Sequence, residues 1–429
     1  MNHSSPESSA FSFSLRHLKV FDCVARLHGF MRASHACHLS QPSVSQIIAM
    51  LEKELGVALV ERRANGSYLN EYGLIFHRRV ERLFAQVETA LVQLGVPHGR
   101  AAIPQVASRI TRSHLRSLIS IVENRSVAWS ARSLGMAQLS LQRVARNLER
   151  TLRTPLFMQT ASGIMATPAA AEFARKLKLA LKEVQWGIDE IEARRGNSGG
   201  EVVIGAMLMA GSVVLASVLT EFAATHPTAN IRVLNGNAED MLGYLRSGDV
   251  DFVIGLLREP TPDGLVGEVL AVTPYVIAAR HGHPLADGGG ITLDDLADYD
   301  WVIGTPGAHR RARFEELFSG QRKPTARIAT CSMPTVRLLL AQGNRLTLLT
   351  SQELMFEDDV LTALPFGPIG RAPSVGLTMR RDWLPTQLQA GCLELIQKRI
   401  TGSLLMDREI ASRLKGMGLQ MLEQPATMN

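Results

Sequence analysis

The sequence predicts two tandem winged helix–turn–helix domains, mainly α-helical, followed by an α/β domain. Three observations carry that prediction. First, "ACHLSQPSVSQIIAMLEKELGVALV" (36–60) returns in degenerate form as "SLGMAQLSLQRVARNLERTLRTPLF" (133–157). A constant offset of 97 pairs Gln41 with Gln138, Ser43 with Ser140, Leu51 with Leu148, Glu52 with Glu149, Leu55 with Leu152, Leu59 with Leu156 and Gly66 with Gly163. Second, the hydrophobic rhythm changes at Glu201, from three- and four-residue steps to short β-rich runs between helical stretches. Third, charge is divided: residues 1–200 hold 26 Lys and Arg against 15 Asp and Glu, whereas 201–429 hold 20 against 25. A basic front half suits a polyanion, and an acidic back half suits something else.

At 429 residues the chain exceeds one ordinary core and suggests about three domains of ~150 residues. Its 46% hydrophobic and 20% charged residues indicate a globular chain, not a disordered one. Cys23, Cys37, Cys331 and Cys392 lack CxxC spacing, which argues for a reducing compartment and against a disulfide frame or zinc site. "MNHSSPESSAFSFS" contains neither the basic nor the apolar stretch of a secretory signal. "VVIGAMLMAGSVVLASVLT" (202–220) is uncharged, but Gly205, Gly211, Ser212 and Ser217 interrupt it. Strand, turn and buried helix are therefore expected there, with no membrane partner and a cytoplasmic location.

Residues 1–14 are expected to be a disordered N-terminus. The first module spans 15–75, a linker helix and connector 76–108, and the second module 109–168. Each module opens with a helical stripe, Leu15, Leu18, Phe21, Val24 and then Leu115, Leu118, Ile121, Val122. A small-residue helix follows (Ala33, Ser34, Cys37; Ser130, Ala131, Leu134), then a turn and a second amphipathic helix. Helix–turn–helix architecture offers that last helix to the DNA major groove. The available side chains are Ser40, Gln41, Pro42, Ser43, Ser45 and Gln46 in the first copy, with Pro42 tolerated in the first turn. In the second they are Gln138, Ser140, Gln142, Arg143, Arg146 and Arg150. "LGVALVERRANGSYLN" (55–70) and "LRTPLFMQTASGIMAT" (152–167) read as β-hairpin wings, the first with Arg62 and Arg63 as a phosphate clamp.

"LRHLKVFDCVARLHGFMRASHACHLSQPSVSQIIAMLEKELGVALVER" resembles the N-terminal module of the LysR-type transcriptional regulators. The resemblance is carried by Phe21, Ala33, Ser40-Gln41-Pro42-Ser43, Ser45, Leu51-Glu52, Leu55-Gly56, Leu59 and Arg62. Cys37 stands where the family usually has Leu, and the wing closes on Leu69, Asn70 and Gly73. The second copy keeps Ala131, Leu134, Gln138, Ser140, Leu148-Glu149, Leu152, Leu156-Phe157 and Thr167-Pro168, but has Leu139 and Gln142 in place of the proline and second serine. The family ordinarily has one such module. The resemblance implies double-stranded DNA as partner, a homodimer or homotetramer, and RNA polymerase as a candidate protein partner. In a second reading, copy one has abandoned DNA for oligomerisation or protein interaction.

A helix with a coiled-coil-like seam follows each copy: Val80, Phe84, Val87, Leu91, Leu94, and Leu177, Leu181, Val184, Ile188, Ile191. Such a seam suits pairing with a second subunit or packing within the chain. The resemblance implies that 169–200 is the dimerisation linker helix and hinge, ending in "RRGNSGG" (194–200).

In 201–402, "EVVIGA", "NIRVL", "DFVIGL", "YVIAA", "WVIGT" and "LTLLT" alternate with helical stretches, which predicts a parallel sheet covered on both faces. Ligands on such sheets sit beyond strand C-termini, here at loops 206–212, 304–311 and 330–334, with Arg310 or Arg311 favouring an anion. "GEVVIGA", "HGHPLAD" and "GNRLTLLTSQE" resemble the family's effector domain, of the type 2 periplasmic-binding-protein fold with two α/β lobes, in the branch of galactose-binding-protein regulators. The resemblance implies an effector contacting Met209, Ser212, Thr305, Arg311, Cys331 and Ser332. Its expected classes are a sugar, sugar acid or aromatic acid, with no cofactor. His281 and His283 read as a turn and no metal is expected. No P-loop, GxSxG or post-strand GxGxxG appears, so no enzyme is expected, the rival reading being an enzyme built on a binding-protein-like fold. Residues 403–429 read as a C-terminal tail without an assigned role.

Overall fold

The computed structural model describes residues 13–400 except 65, 98, 100, 101, 161, 162, 198 and 208–211. The expected N-terminus (1–14, apart from Phe13 and Ser14) and the 403–429 tail lie outside these residues.

Helices Leu15–Leu27 (α1), Phe30–Cys37 (α2) and Gln41–Leu55 (α3) build the first module. Leu15, Leu18, Phe21 and Val24 of α1 meet Ala33 of α2 and Val44, Ile48, Leu51 and Leu55 of α3 in one core. The residues at three- and four-residue steps are thus the buried ones. Strands Val60–Arg63 (β1) and Gly66–Leu69 (β2) form the antiparallel wing, with Arg62 opposite Ser67 and Arg63 opposite Gly66. Helix Glu71–Gln93 (α4) starts at an Asn70 cap, whose side chain accepts from the Gly73 amide. A Cβ on Gly73 would lie 2.1 Å from the Leu59 carbonyl oxygen, so only glycine lets the wing and α4 approach this closely. The connector holds a short helix, Ile103–Arg109 (α5).

Module two repeats the plan with Arg112–Asn124 (α6), Val127–Ser133 (α7), Gln138–Leu152 (α8), strands Phe157–Thr160 (β3) and Gly163–Ala166 (β4), and then helix Pro168–Arg194 (α9). One repeated contact explains the repeated glutamate. Glu52 Oε1 accepts from the Leu59 and Val60 amides at 2.8 and 3.2 Å. Its counterpart Glu149 Oε1 accepts from Leu156 and Phe157 at 2.8 and 2.9 Å. In both copies a carboxylate at the helix end fixes the start of the wing.

Helices α4 and α9 lie antiparallel within the chain. Arg194 donates to Glu71 at 2.9 Å near one end, Lys176 donates to Gln93 near the other, and Arg79 lies between with Glu183 and Glu190. This corrects one expectation. Leu177, Leu181, Val184 and Ile191 are buried in a core shared with Val80, Phe84, Val87 and Leu91, with half-buried Ile188 packed against it. The seam read as dimerising is covered by α4 of the same chain, because the repeat duplicates the linker helix and so supplies its partner.

The second unit begins at Glu201. Its first lobe contains Gly200–Met207 (β5), Ser212–Thr225 (α10), Ala229–Gly236 (β6), Ala238–Ser247 (α11), Phe252–Leu256 (β7) and Leu265–Val272 (β8). The chain crosses to a second lobe with Tyr275–Arg280 (β9), Leu293–Ala297 (α12), Val302–Ile303 (β10), His309–Leu317 (α13), Ile328–Ala329 (β11), Met333–Ala341 (α14), Thr347–Thr350 (β12), Ser351–Met355 (α15) and Leu361–Ala363 (β13). It returns as Ser374–Arg380 (β14) and a helix over 387–400 (α16). The uncharged stretch 202–220 is strand then helix, and no described helix is long and apolar enough to cross a membrane.

The sheets are mixed, not parallel throughout. In the order β6-β5-β7-β14-β8, β5 and β7 are parallel, while β14 is antiparallel to β7 and β8. In the second lobe β9 lies antiparallel between β12 and β13, and β10 pairs with β11 in parallel. Strand β14 comes back from the other lobe and so enters its sheet from the opposite end. Phe222, Phe252, Leu377 and Ile396 centre the first lobe's core, and Trp301, Phe314, Phe318 and Leu348 the second's.

Candidate nucleic-acid interface and effector site

In module one, Gln41, Pro42 and Gln46 are exposed on α3, with Ser43 and Ser45 half-buried. Ser40 caps the helix: its Oγ accepts from the Ser43 amide at 3.3 Å and lies 2.8 Å from Ser43 Oγ. Those two hydroxyls are therefore partly committed to each other. Arg62 and Arg63 are exposed on the wing, their guanidinium groups 5.7 Å from the Phe30 ring and 5.3 Å from the Tyr68 ring.

In module two, Gln138, Ser140, Arg143, Arg146 and Arg150 are exposed and Gln142 half-buried, while Leu141, Ala145, Leu148 and Leu152 face the core. Ala137 occupies the cap position and offers no side-chain oxygen, so first-turn amides of α8 remain for an outside acceptor. An open groove of about 860 Å³ is lined by Arg146, Arg150 and Arg153 from α8 and its end, and by Phe157 and Gln159 from the wing. Trp129 on α7, 61% exposed, stacks with Arg132 at 4.9 Å, and Leu139, at the start of α8, is 71% exposed. The repeat singles out Leu139 as the replacement of Pro42, but not Trp129, whose place in copy one is held by Arg32.

The second lobe gathers Thr305, Arg310, Cys331 and Ser332. Thr305 Oγ1 lies 3.3 Å from Cys331 Sγ. Burial would raise the Cys331 thiol, but hydrogen bonds from Thr305 and the charge and hydrogen bond of Arg310 outweigh it and hold it below its ordinary value. Arg310 is buried and donates to the Leu348 carbonyl at 3.4 Å. Arg311 turns to Glu315 at 2.9 Å, so Arg310 is the arginine that meets the thiol. Ser332 Oγ accepts from Thr335 at 3.0 Å at the head of α14. Met209 lies outside the described residues, and Ser212 opens α10.

His283 is buried, its Nδ1 accepting from the Leu285 amide at 3.1 Å, and His281 Nε2 sits 2.8 Å from the Asp358 carbonyl oxygen. Both brace a turn. Asp22, His77 and Glu81 bring ligand-type atoms within 4.8 Å of one another, but Lys19 and Arg26 already occupy the Asp22 carboxylate at 2.9 and 3.4 Å.

Two helix–turn–helix modules with wings, ahead of a two-lobed α/β domain, define a DNA-binding transcriptional regulator. The family model for the bacterial regulatory helix-turn-helix protein of the lysR family matches twice, at 15–74 and 113–171. The LysR substrate binding domain matches 195–400. The chain belongs to the LysR family of transcriptional regulators. It is 29% identical over 394 residues to the HTH-type transcriptional regulator GalR of Pseudomonas putida, covering 90% of this chain and 98% of that protein. The HTH-type transcriptional regulator GbpR of Rhizobium radiobacter is 30% identical over 53% of this chain and 76% of that protein. A full-length OxyR variant of Pseudomonas aeruginosa aligns with a TM-score of 0.48 at 17% identity, over 67% of this chain and 93% of that one.

Proposed function

We propose that both winged modules contact double-stranded DNA and that a small polar or anionic effector binds at Thr305, Arg310, Cys331 and Ser332. The observation that carries the DNA part is the two-faced character of α8. Arg143, Arg146 and Arg150 face solvent, while Leu141, Leu148 and Leu152 hold the opposite face in the core. Three arginines on the free face of an anchored helix suit phosphates and guanine edges. Salt dependence tests it. Replacing Arg143, Arg146 and Arg150 together by Ala is expected to flatten the slope of log affinity against log salt by about 0.9 for each phosphate that the protein ceases to neutralise. An unchanged slope counts against α8 as a DNA-contacting helix.

The effector part rests on a buried arginine and a hydroxyl converging on one thiol beside the head of α14. Sugars, sugar acids and aromatic acids form the panel, with sugars and sugar acids first because of the resemblance to the galactose-binding-protein regulators. A compound that raises the melting temperature of the full chain, and does so no longer in Thr305→Val, is the expected result. A shift of the same size in Thr305→Val moves the effector elsewhere. Regulation through this domain, operation in the cytoplasm and a homo-oligomeric state belong to the same reading.

The second reading keeps copy one away from DNA. Its favouring observation is the absence of charge on Gln41, Ser43, Ser45 and Gln46. Loss of footprint protection with Gln46→Ala and Arg62→Ala would dismiss it.

A further inference from the structure

Resting on the reading of both modules as DNA-contacting, we infer that one chain is by itself a two-module DNA reader. Its modules pair about a local pseudo-two-fold axis, and the duplex that fits them carries two unlike half-sites.

In an isologous pair, a contact between two positions is accompanied by its reciprocal. Under the offset of 97, Arg79 corresponds to Lys176 and Gln93 to Glu190. Arg79 donates to Glu190, and Lys176 donates to Gln93. Gln86 and Glu183 correspond to each other and touch, Gln86 Nε2 donating to Glu183 Oε1 at 2.8 Å. A position that meets its own counterpart marks where the axis crosses α4 and α9. Phe76 and Phe173 also correspond, and both lie in the core between the modules.

Charge selects this pairing over its alternatives. Arg79 and Arg82 come from α4, and Glu183 and Glu190 from α9. An α4 paired with another α4 would offer Arg79 only Gln86 and Gln93. An α9 paired with another α9 would bury Glu183 against Glu183. With Val80, Val87, Leu91, Leu177 and Val184 all buried, the face is closed to a second chain.

The readers at the two ends are unlike. Gln41 and Gln138 are alike, but helix α3 presents Gln46 where α8 has Arg143, and glutamine pairs bidentately with adenine. Helix α8 presents Arg143 and Arg146, and arginine pairs bidentately with guanine. Helices of 23 and 27 residues are about 35 and 40 Å long, so modules at opposite ends of the antiparallel pair stand on the order of one duplex turn apart.

The test selects duplexes from a random-sequence pool with the full-length chain, then repeats the selection with Gln46→Ala and with Arg143→Ala. Each repeat unit of the motif is expected to contain two different halves in fixed order. Arg143→Ala should erase the base preference of one half, with roughly a 10-fold loss of affinity, and Gln46→Ala should disturb only the other. Like halves, or halves altered together by one substitution, overturn the inference and leave DNA binding standing. Enrichment of no duplex removes the DNA reading and this inference with it. A second measurement needs no DNA: Gln93→Cys combined with Lys176→Cys, joined by a bis-maleimide long enough to replace the two side chains, then cut at a protease site inserted in the connector between α4 and α6 and separated under denaturing conditions. The two fragments are expected to stay together at the mass of one chain, and fragments that come apart would overturn the inference. The mass of two chains would mean that α4 pairs with the α9 of another chain, which overturns the inference.

Discussion

Cys331 and Cys37 are both half-buried, yet their surroundings push the thiols in opposite directions. Burial and the neighbouring Cys23 raise Cys37 to about 12. At Cys331 burial is outweighed by Thr305 and Arg310. Since the thiolate is the reactive species, iodoacetamide at neutral pH is expected to label Cys331 at least ~10-fold faster than Cys37. Arg310→Met should slow the labelling of Cys331 and leave that of Cys37 unchanged, and an unaltered Cys331 rate in that variant would show that Arg310 does not act on the sulfur. At Asp22 burial alone would raise the carboxyl, but hydrogen bonds from His77 and Lys19 and the charges of Lys19 and Arg26 hold it at about 2. A carboxyl lowered on folding stabilises the protein above its ordinary value of 3.8, and that stabilisation is lost as pH falls towards 2. The melting-temperature gap between the natural chain and Asp22→Asn should therefore close between pH 4 and pH 2. The sequence placed Thr305, Arg311 and Cys331 in loops at strand ends, and the structure brings Thr305 and Arg310, not Arg311, to the Cys331 thiol. Adjacent residues on a helix point about 100° apart, and without knowing which side of α13 is buried the choice cannot be made.

At the level of elements, α4 and α9 are joined by more than apolar contact. Arg79 is fully buried and meets Glu183 at 3.0 Å and Glu190 at 3.1 Å, while Arg82 meets Glu183 at 2.9 Å. Gly187 lets the helices close: a Cβ there would lie 3.0 Å from the Phe76 ring. Replacing Arg79 by Met leaves two carboxylates without their shared guanidinium, at an expected cost on the order of 3–5 kcal/mol in urea unfolding. Adding Glu183→Gln and Glu190→Gln should recover part of that loss; no recovery would mean that the packing of the arginine stem matters more than its charge. The seam itself was legible, since the residues of both four-and-three stripes lie buried or half-buried between the helices. Its partner was not. A heptad pattern identifies which face is covered but says nothing of what covers it, and the second seam in the same chain was the missing half.

Over the whole molecule, the boundary near residue 200 and the tandem modules could be read because patterning and duplication are properties of order along the chain. The antiparallel return of β14 could not, because "SVGLTMR" has the same local character whichever way it enters a sheet. Tethering adds a quantity that no single contact shows. Joined by the connector between α4 and α6, each module meets the other at an effective concentration of about a millimolar, whatever the number of molecules present. Diluting the protein from micromolar to nanomolar should then leave α4 and α9 paired, as read by the distance between a label on each helix; separation on dilution would show that the halves come from separate molecules. On the reading proposed above, a cell that makes only a handful of copies still has both modules of each reader joined.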